Sequence, residues 1–372
     1  MIFFDVTKSR AARHRSGLIR VNERLFAALG GGVTPVVWRR GRWEEALPPP
    51  TGFRGWLPDA WRGDGQAVVL QKSDWVLTPE LFSEEERPGL WAFFKAKSCR
   101  TAVVFHDAIP LKLPQISLRN SVARHPSYMA MLADTDCVFA VSEASRAELL
   151  GYWHWLGRKG PAVSAITLGA DFAGTPRVTD TSPPLSPPSL VCVGILEPRK
   201  NQSFLLDVCA GLWDAGNDFQ LNLVGRSNTE TGAAVVDKVR RMEARYPGLH
   251  YFQKMDDAGL HALYGRTRAA VFPTLAEGFG LPVAEALWMG LPCLCSDLPV
   301  LREQADGGGC ATAPAGDAGA WSALLRRALT DDAWAVALRD AARRRAIAVW
   351  RDTAAQVRGV LDAPPAPEKP GN

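Results

Sequence analysis

Short apolar runs alternate with longer stretches whose apolar positions recur every three or four residues, and the alternation persists along most of the chain. In the first half, 2–6 (IFFDV), 35–39 (PVVWR), 67–71 (AVVLQ), 101–107 (TAVVFHD) and 137–142 (CVFAVS) predict strands. Helical spacing over 18–29, and again after Ser142 as a natural N-cap, predicts helices there. In the second half, 189–194 (SLVCVG), 220–225 (QLNLVG), 249–253 (LHYFQ), 269–273 (AAVFP) and 292–296 (PCLCS) predict strands. Helical spacing over 203–213, 233–246, 259–266 and 282–289 separates them, and Ala- and Arg-rich helices fill 318–361. Strands alternating with helices predict an α/β protein with parallel sheets covered on both faces. Ligands of such sheets bind beyond the carboxyl ends of the strands, so chemistry is expected just after each strand.

The segment 176–189, PRVTDTSPPLSPPS, has no apolar period and predicts a linker. It divides the chain into a first domain, 1–175, and a second, 190–345. A last helix is expected over 346–362, and the Pro-rich end, 363–372, is expected to fray. A length of 372 residues, 47% of them hydrophobic, suits two buried cores.

Charge narrows the partners. A net charge of +4 gives no reason to expect a nucleic-acid partner. Lys8, Arg10, Arg13 and Arg15 are nevertheless crowded together, with Arg20 and Arg24 following. They read either as a solvated helix face or as an edge turned toward phosphate or an anionic membrane surface. Seven cysteines, an odd number without a CxxC, lie mostly in apolar runs and read as buried free thiols of a reducing compartment. No apolar stretch approaches the roughly 20 residues of a membrane span. The expectation is a cytoplasmic protein, with at most a peripheral contact at the inner face of the membrane.

Two stretches carry the candidate chemistry. In VCVGILEPRKNQSFLLD a strand ends at Gly194, and Arg199 and Lys200 stand in the loop before a helix. Unpaired amides at a helix start and two full positive charges make a cradle for a diphosphate. The bland alternative is a loop with two solvated cations. In AEGFGLPVAEAL a strand gives way to a helix through Gly278-Phe279-Gly280-Leu281, with Pro282 in the first helical turn. Glu277 and Glu285 flank that turn. As ionised carboxylates they accept hydrogen bonds, Glu277 from sugar hydroxyls and Glu285 from a ribose diol. Helix-capping alone would account for Glu285 but not for the Gly-Phe-Gly turn.

The pattern E-G-F-G-L-P-x-x-E-A resembles the signature of retaining GT-B glycosyltransferases of family 4. VGILEPRKN, VFHDAIP, FAVSEASRAEL and GLPCLCSDLPVLRE are similar to further segments of that family, in the same order. The resemblance implies a GT-B fold, two doubly wound Rossmann-like domains facing a cleft. It implies a nucleotide diphosphate sugar as donor, a glycan or lipid-linked acceptor, and no metal or other cofactor. It also implies roles. Glu277 binds the transferred sugar, Glu285 the ribose, and Arg199 with Lys200 the diphosphate. The amides of Phe279, Gly280 and Leu281 lie near sugar or phosphate, and Gly278 and Gly194 shape the turns. His106 contacts the sugar, and Gly17 lies near the diphosphate or acceptor. One position departs from the family: Ile195 stands where many members carry an arginine.

Two other patterns point elsewhere. Asp134-Thr135-Asp136 is a DxD but falls between a helix and a strand, where it reads as a turn rather than a metal site. His125, His154, His250 and His261 have no metal-ligand spacing. The reading is therefore a hexosyltransferase, with mannose as the guessed sugar and bacterial surface polysaccharide as the setting. The rivals are a non-catalytic scaffold of the same fold and a related phosphorylase or epimerase.

Overall fold

The computed structural model describes residues 1–11, 16–46, 65–171, 176–178 and 187–363. In the first half the strands are β1 (Ile2–Asp5), β2 (Val33–Arg39), β3 (Arg42–Glu45), β4 (Trp75–Thr78), β5 (Arg100–Phe105), β6 (Cys137–Ala140) and β7 (Ala162–Ala165). They form one sheet in the order β3-β2-β1-β4-β5-β6-β7, parallel except for the edge strand β3. Its helices are α1 (Gly17–Leu29), α2 (Leu90–Ala96), α3 (Ile109–Lys112), α4 (Arg119–Leu132) and α5 (Glu143–Trp155).

The second half repeats the plan with β8 (Ser189–Val193), β9 (Gln220–Val224), β10 (Leu249–Phe252), β11 (Ala269–Phe272), β12 (Cys293–Ser296) and β13 (Cys310–Ala313). The order is β10-β9-β8-β11-β12-β13, all parallel. Its helices are α6 (Gln202–Asp214), α7 (Ala233–Glu243), α8 (Asp257–Gly265), α9 (Leu281–Trp288), α10 (Pro299–Ala305), α11 (Ala318–Thr330) and α12 (Asp332–Arg344), before the last helix, α13 (Trp350–Leu361).

Strand alternation supplies each sheet with two cores. Phe4, Leu77, Val104 and Phe139 face α1 and α13, while Phe3, Val76, Val103 and Val138 face the opposite cluster with α2, α4 and α5. In the second sheet Leu190, Leu221 and Leu294 pack with α6 and α11, and Val191, Cys293 and Cys295 with α9. All seven cysteines are unpaired, six of them buried. Helix α13 follows the second layer in sequence but packs on the first. Trp350, Ala354, Val357 and Leu361 join the core of β1, and the Trp75 Nε1 donates to the Leu361 carbonyl at 2.8 Å.

The expected strand at 67–71 is wrong. Val69 is 86% exposed, and only Ala67 bridges the chain, to Glu44. The place beside β1 belongs to Trp75–Thr78, a shorter run whose four residues are all buried. Strand propensity at 67–71 finds no vacant sheet position, and position outranks propensity. The expectations also passed over β3, β7, β13 and α10, which are edge strands or short. In the proposed linker, Arg177 donates to the carbonyl of Ala342 and the Val178 amide to that of Trp288, while 179–186 lie outside the described residues. So do Arg13 and Arg15 of the basic stretch and the tail from 364.

Candidate active site

The second sheet reverses its strand order between β8 and β11, and both strands open into loops on the same edge. After β8 the chain passes Gly194 and makes a 3-10 turn at Pro198–Lys200. Asn201, at φ 59°, then turns it into α6. After β11 it runs through Pro273–Gly280 into α9. The loops are joined: the Leu275 amide donates to the Arg199 carbonyl at 2.8 Å, and the Thr274 hydroxyl reaches the same oxygen at 3.2 Å.

Glu277 stands at the centre. Its Oε1 accepts from Lys200 Nζ at 2.6 Å, Thr274 Oγ1 at 2.8 Å and Arg199 at 2.9 Å. Among the described residues nothing donates to its Oε2. Burial pushes the Glu277 carboxyl up, but Lys200, Arg199 and the Thr274 hydrogen bond outweigh burial and hold it below the usual range. It is an acceptor, not an acid. Lys200 is buried against the Phe272 ring at 4.7 Å, and desolvation lowers its pKa despite Glu277. Arg199 also pairs with Glu197 at 2.8 Å, and Glu277 first, then Glu197, raise its pKa against burial. Ile195 adds no charge here, and its carbonyl accepts from Gln202 at 2.9 Å.

The start of α9 is open. Gly280 caps it at φ 92°, a left-handed conformation that favours glycine, and a Cβ there would also press on Leu301. Among the described residues the amides of Phe279, Gly280 and Leu281 have no acceptor. One turn into the helix, Glu285 is 4% exposed and ion-paired through Oε1 with Arg20 of α1. Burial raises its pKa, more than Arg20 lowers it.

The first sheet closes over this edge. Gly278 sits so near the His106 carbonyl that any Cβ would collide with it. The Gly278 carbonyl accepts from Ser142 at 2.7 Å and Ser145 at 3.1 Å. His106 is buried, and its Nε2 donates to the Pro79 carbonyl at 2.7 Å. Burial lowers its pKa and keeps the ring neutral. Its carbonyl packs on Gly278 and its ring is held by Pro79, so it braces the interface beside Glu277. Gly17 begins α1 behind the cap Ser16, three residues before Arg20, with open space around it. Gly194 packs near the Lys200 stem.

The structure brings Arg199, Lys200 and Glu277 together, with three partners that the sequence reading missed. Arg20 was read as a candidate solvated cation, Thr274 drew no notice, and Glu303, which accepts from the amides of Glu143 and Ala144 across the interface at 3.0 and 2.8 Å, was unsuspected. Only Arg20 left a signal, as a cation in the first turn after Gly17.

The decoys lie elsewhere. Asp134 accepts from Trp91 Nε1 and Arg158, and Asp136 from Lys97 and Thr101, at the amino end of β6, opposite the cleft edge. His125 bonds the Asp107 carbonyl at 2.9 Å. Among the described residues no three His, Cys, Asp or Glu side chains gather as a metal site.

Residues 187–331, which hold the whole cluster, match the family Glycosyl transferases group 1. That segment is similar to the family, and the match spans less than half of the chain. The chain is similar to the serotype-specific mannosyltransferase WbdA of Escherichia coli. The two are 32% identical over 259 residues, covering 65% of this chain but only 31% of WbdA. It is also similar to the O-antigen chain mannosyltransferase B of Escherichia coli, 28% identical over 246 residues, with 63% and 62% covered. Over 97% of its length it superposes on sucrose-phosphate synthase from Thermosynechococcus elongatus, covering 98% of that chain with a TM-score of 0.71 at 20% identity. The fold is GT-B.

Proposed function

We propose that the chain is a retaining glycosyltransferase that moves a hexose, mannose, from a nucleotide diphosphate sugar to a glycan or lipid-linked saccharide in bacterial surface polysaccharide synthesis. The observation that carries this reading is the half-used carboxylate of Glu277. Three donors fix Oε1, and among the described residues nothing donates to Oε2, in the loop that leads to the unclaimed amides at the start of α9. That arrangement orients a hydroxylated ring and neutralises an anion next to it. The sugar comes from the printed names of the two mannosyltransferases.

In this reading Glu277 accepts sugar hydroxyls through Oε2. Arg199, Lys200 and the amides of Phe279, Gly280 and Leu281 take the charge that develops on the departing diphosphate. Glu285 receives the ribose. His106 and the serines Ser142 and Ser145 hold the sugar loop against the first sheet. The reading gives Glu277 a binding role and leaves the departing phosphate to assist the incoming hydroxyl. Positioning and charge stabilisation supply the rate. Closure of the cleft excludes water and limits donor hydrolysis. Donor transfer proceeds on the cytoplasmic side. Among the described residues no helix is long and apolar enough to cross a membrane.

The test is a panel of nucleotide sugars offered to purified protein with oligosaccharide acceptors, reading released nucleoside diphosphate. Acceptor-dependent release from a mannose donor, undiminished in EDTA, is the expected result. No release from any donor would overturn the function, and an absolute metal requirement would return attention to Asp134 and Asp136.

A further inference from the structure

The ion pair between Arg20 and Glu285 joins the two layers of the molecule. Arg20 lies in the first turn of α1, packed on the first sheet, and Glu285 in α9, packed on the second. The acid is 4% exposed, and a carboxylate so desolvated stays ionised only beside a counter-charge. Arg20 supplies that charge, and it does so on one oxygen. Among the described residues no donor reaches Glu285 Oε2. Nearby, the buried Tyr264 hydroxyl also has no hydrogen-bond partner there, and burial together with Glu285 pushes its pKa well above the usual range.

We propose that Arg20 is a positioning residue for the nucleotide: by holding Oε1 of Glu285 it keeps the carboxylate charged and turned so that Oε2 accepts the ribose hydroxyls. The proposal rests on the donor site described above. It makes recognition of the ribose depend on a side chain of the opposite layer. A ribose therefore finds its full acceptor only when α1 lies against α9, and binding of the nucleotide favours the closed arrangement to the same degree. A guanidinium suits the role because its fixed charge survives desolvation better than an ammonium does.

The experiment compares ribonucleoside diphosphates with their 2′,3′-dideoxy counterparts by calorimetry, using uridine, guanosine and adenosine forms, in wild type, Arg20→Ala, Arg20→Lys and Glu285→Gln. A hydrogen bond to a charged acceptor predicts a wild-type preference for the ribose form of roughly 10- to 100-fold. That preference should collapse in Arg20→Ala and in Glu285→Gln and return in part in Arg20→Lys. A merely structural Arg20 would weaken ribo and dideoxy forms by one factor and leave their ratio intact, which would overturn the proposal while Glu285 kept its role. A wild type that binds both forms equally would overturn the ribose role of Glu285 and this proposal together. Binding of none of the diphosphates would overturn the donor site itself, and the proposal with it.

Discussion

Each sheet reverses its strand order once, between β1 and β4 in the first and between β8 and β11 in the second, and each reversal holds acids around an arginine. At the first, Arg87 bridges Asp5 and Glu80. Every carboxylate oxygen there is taken. Asp5 also accepts from the Thr7 amide at 2.9 Å and its hydroxyl at 2.5 Å. Glu80 accepts from the Lys8 and Ser9 amides, both at 2.7 Å, and from Asn22 at 2.9 Å. At the second, Glu277 faces two cations and keeps one oxygen unclaimed. One topology has produced a sealed network that pins the chain after β1 and an unsealed one beside the cleft. Acids at a switch point do not make a site; unspent hydrogen-bonding capacity does.

The largest way to break the comparison is Arg87→Met. It leaves two carboxylates buried without their counter-ion, and about 3–5 kcal/mol of stability should be lost in urea unfolding. A loss near zero would mean that the first network is as open as the second. A smaller, sharper test uses pH. Burial, then Asp5, pushes the Glu80 carboxyl up to about 7, against Arg87 and the two amides. A raised acid pKa means that the folded state holds the proton more tightly than the unfolded chain. Its contribution is therefore present below 4.5 and lost as pH rises through about 7. Glu277, lowered, has the opposite sign: its contribution is present above 4.5 and lost as pH falls below that. Relative to Glu80→Gln, wild type should lose stability as pH rises across that window. A flat difference would remove the contrast.

The second half of the fold was far more legible than the first. Its central strands β8, β11 and β12 are buried along almost their whole length, so each reads as an apolar run between helical stretches. In the first half, WVLT is a central strand of only four residues, while the more strand-like AVVLQ meets the sheet only through one bridge to the edge strand β3. Arg199 and Lys200 were legible because they stand in the loop between a strand and the next helix, as Glu277 does. The Arg20–Glu285 pair spans 265 residues and the Arg87–Asp5 pair 82, and no local spacing encodes either. His106 was visible as a residue, but its task depends on the Pro79 carbonyl and on Gly278, which only folding brings to it.

The central claim is that the unclaimed oxygen of Glu277 orients a donor sugar. Glu277→Ala, measured for transfer and for nucleoside diphosphate affinity in the same preparation, tests it most directly. Transfer should fall by about 10²- to 10³-fold or more while diphosphate affinity stays close to wild type. Equal loss of both, or transfer that survives, would contradict the account.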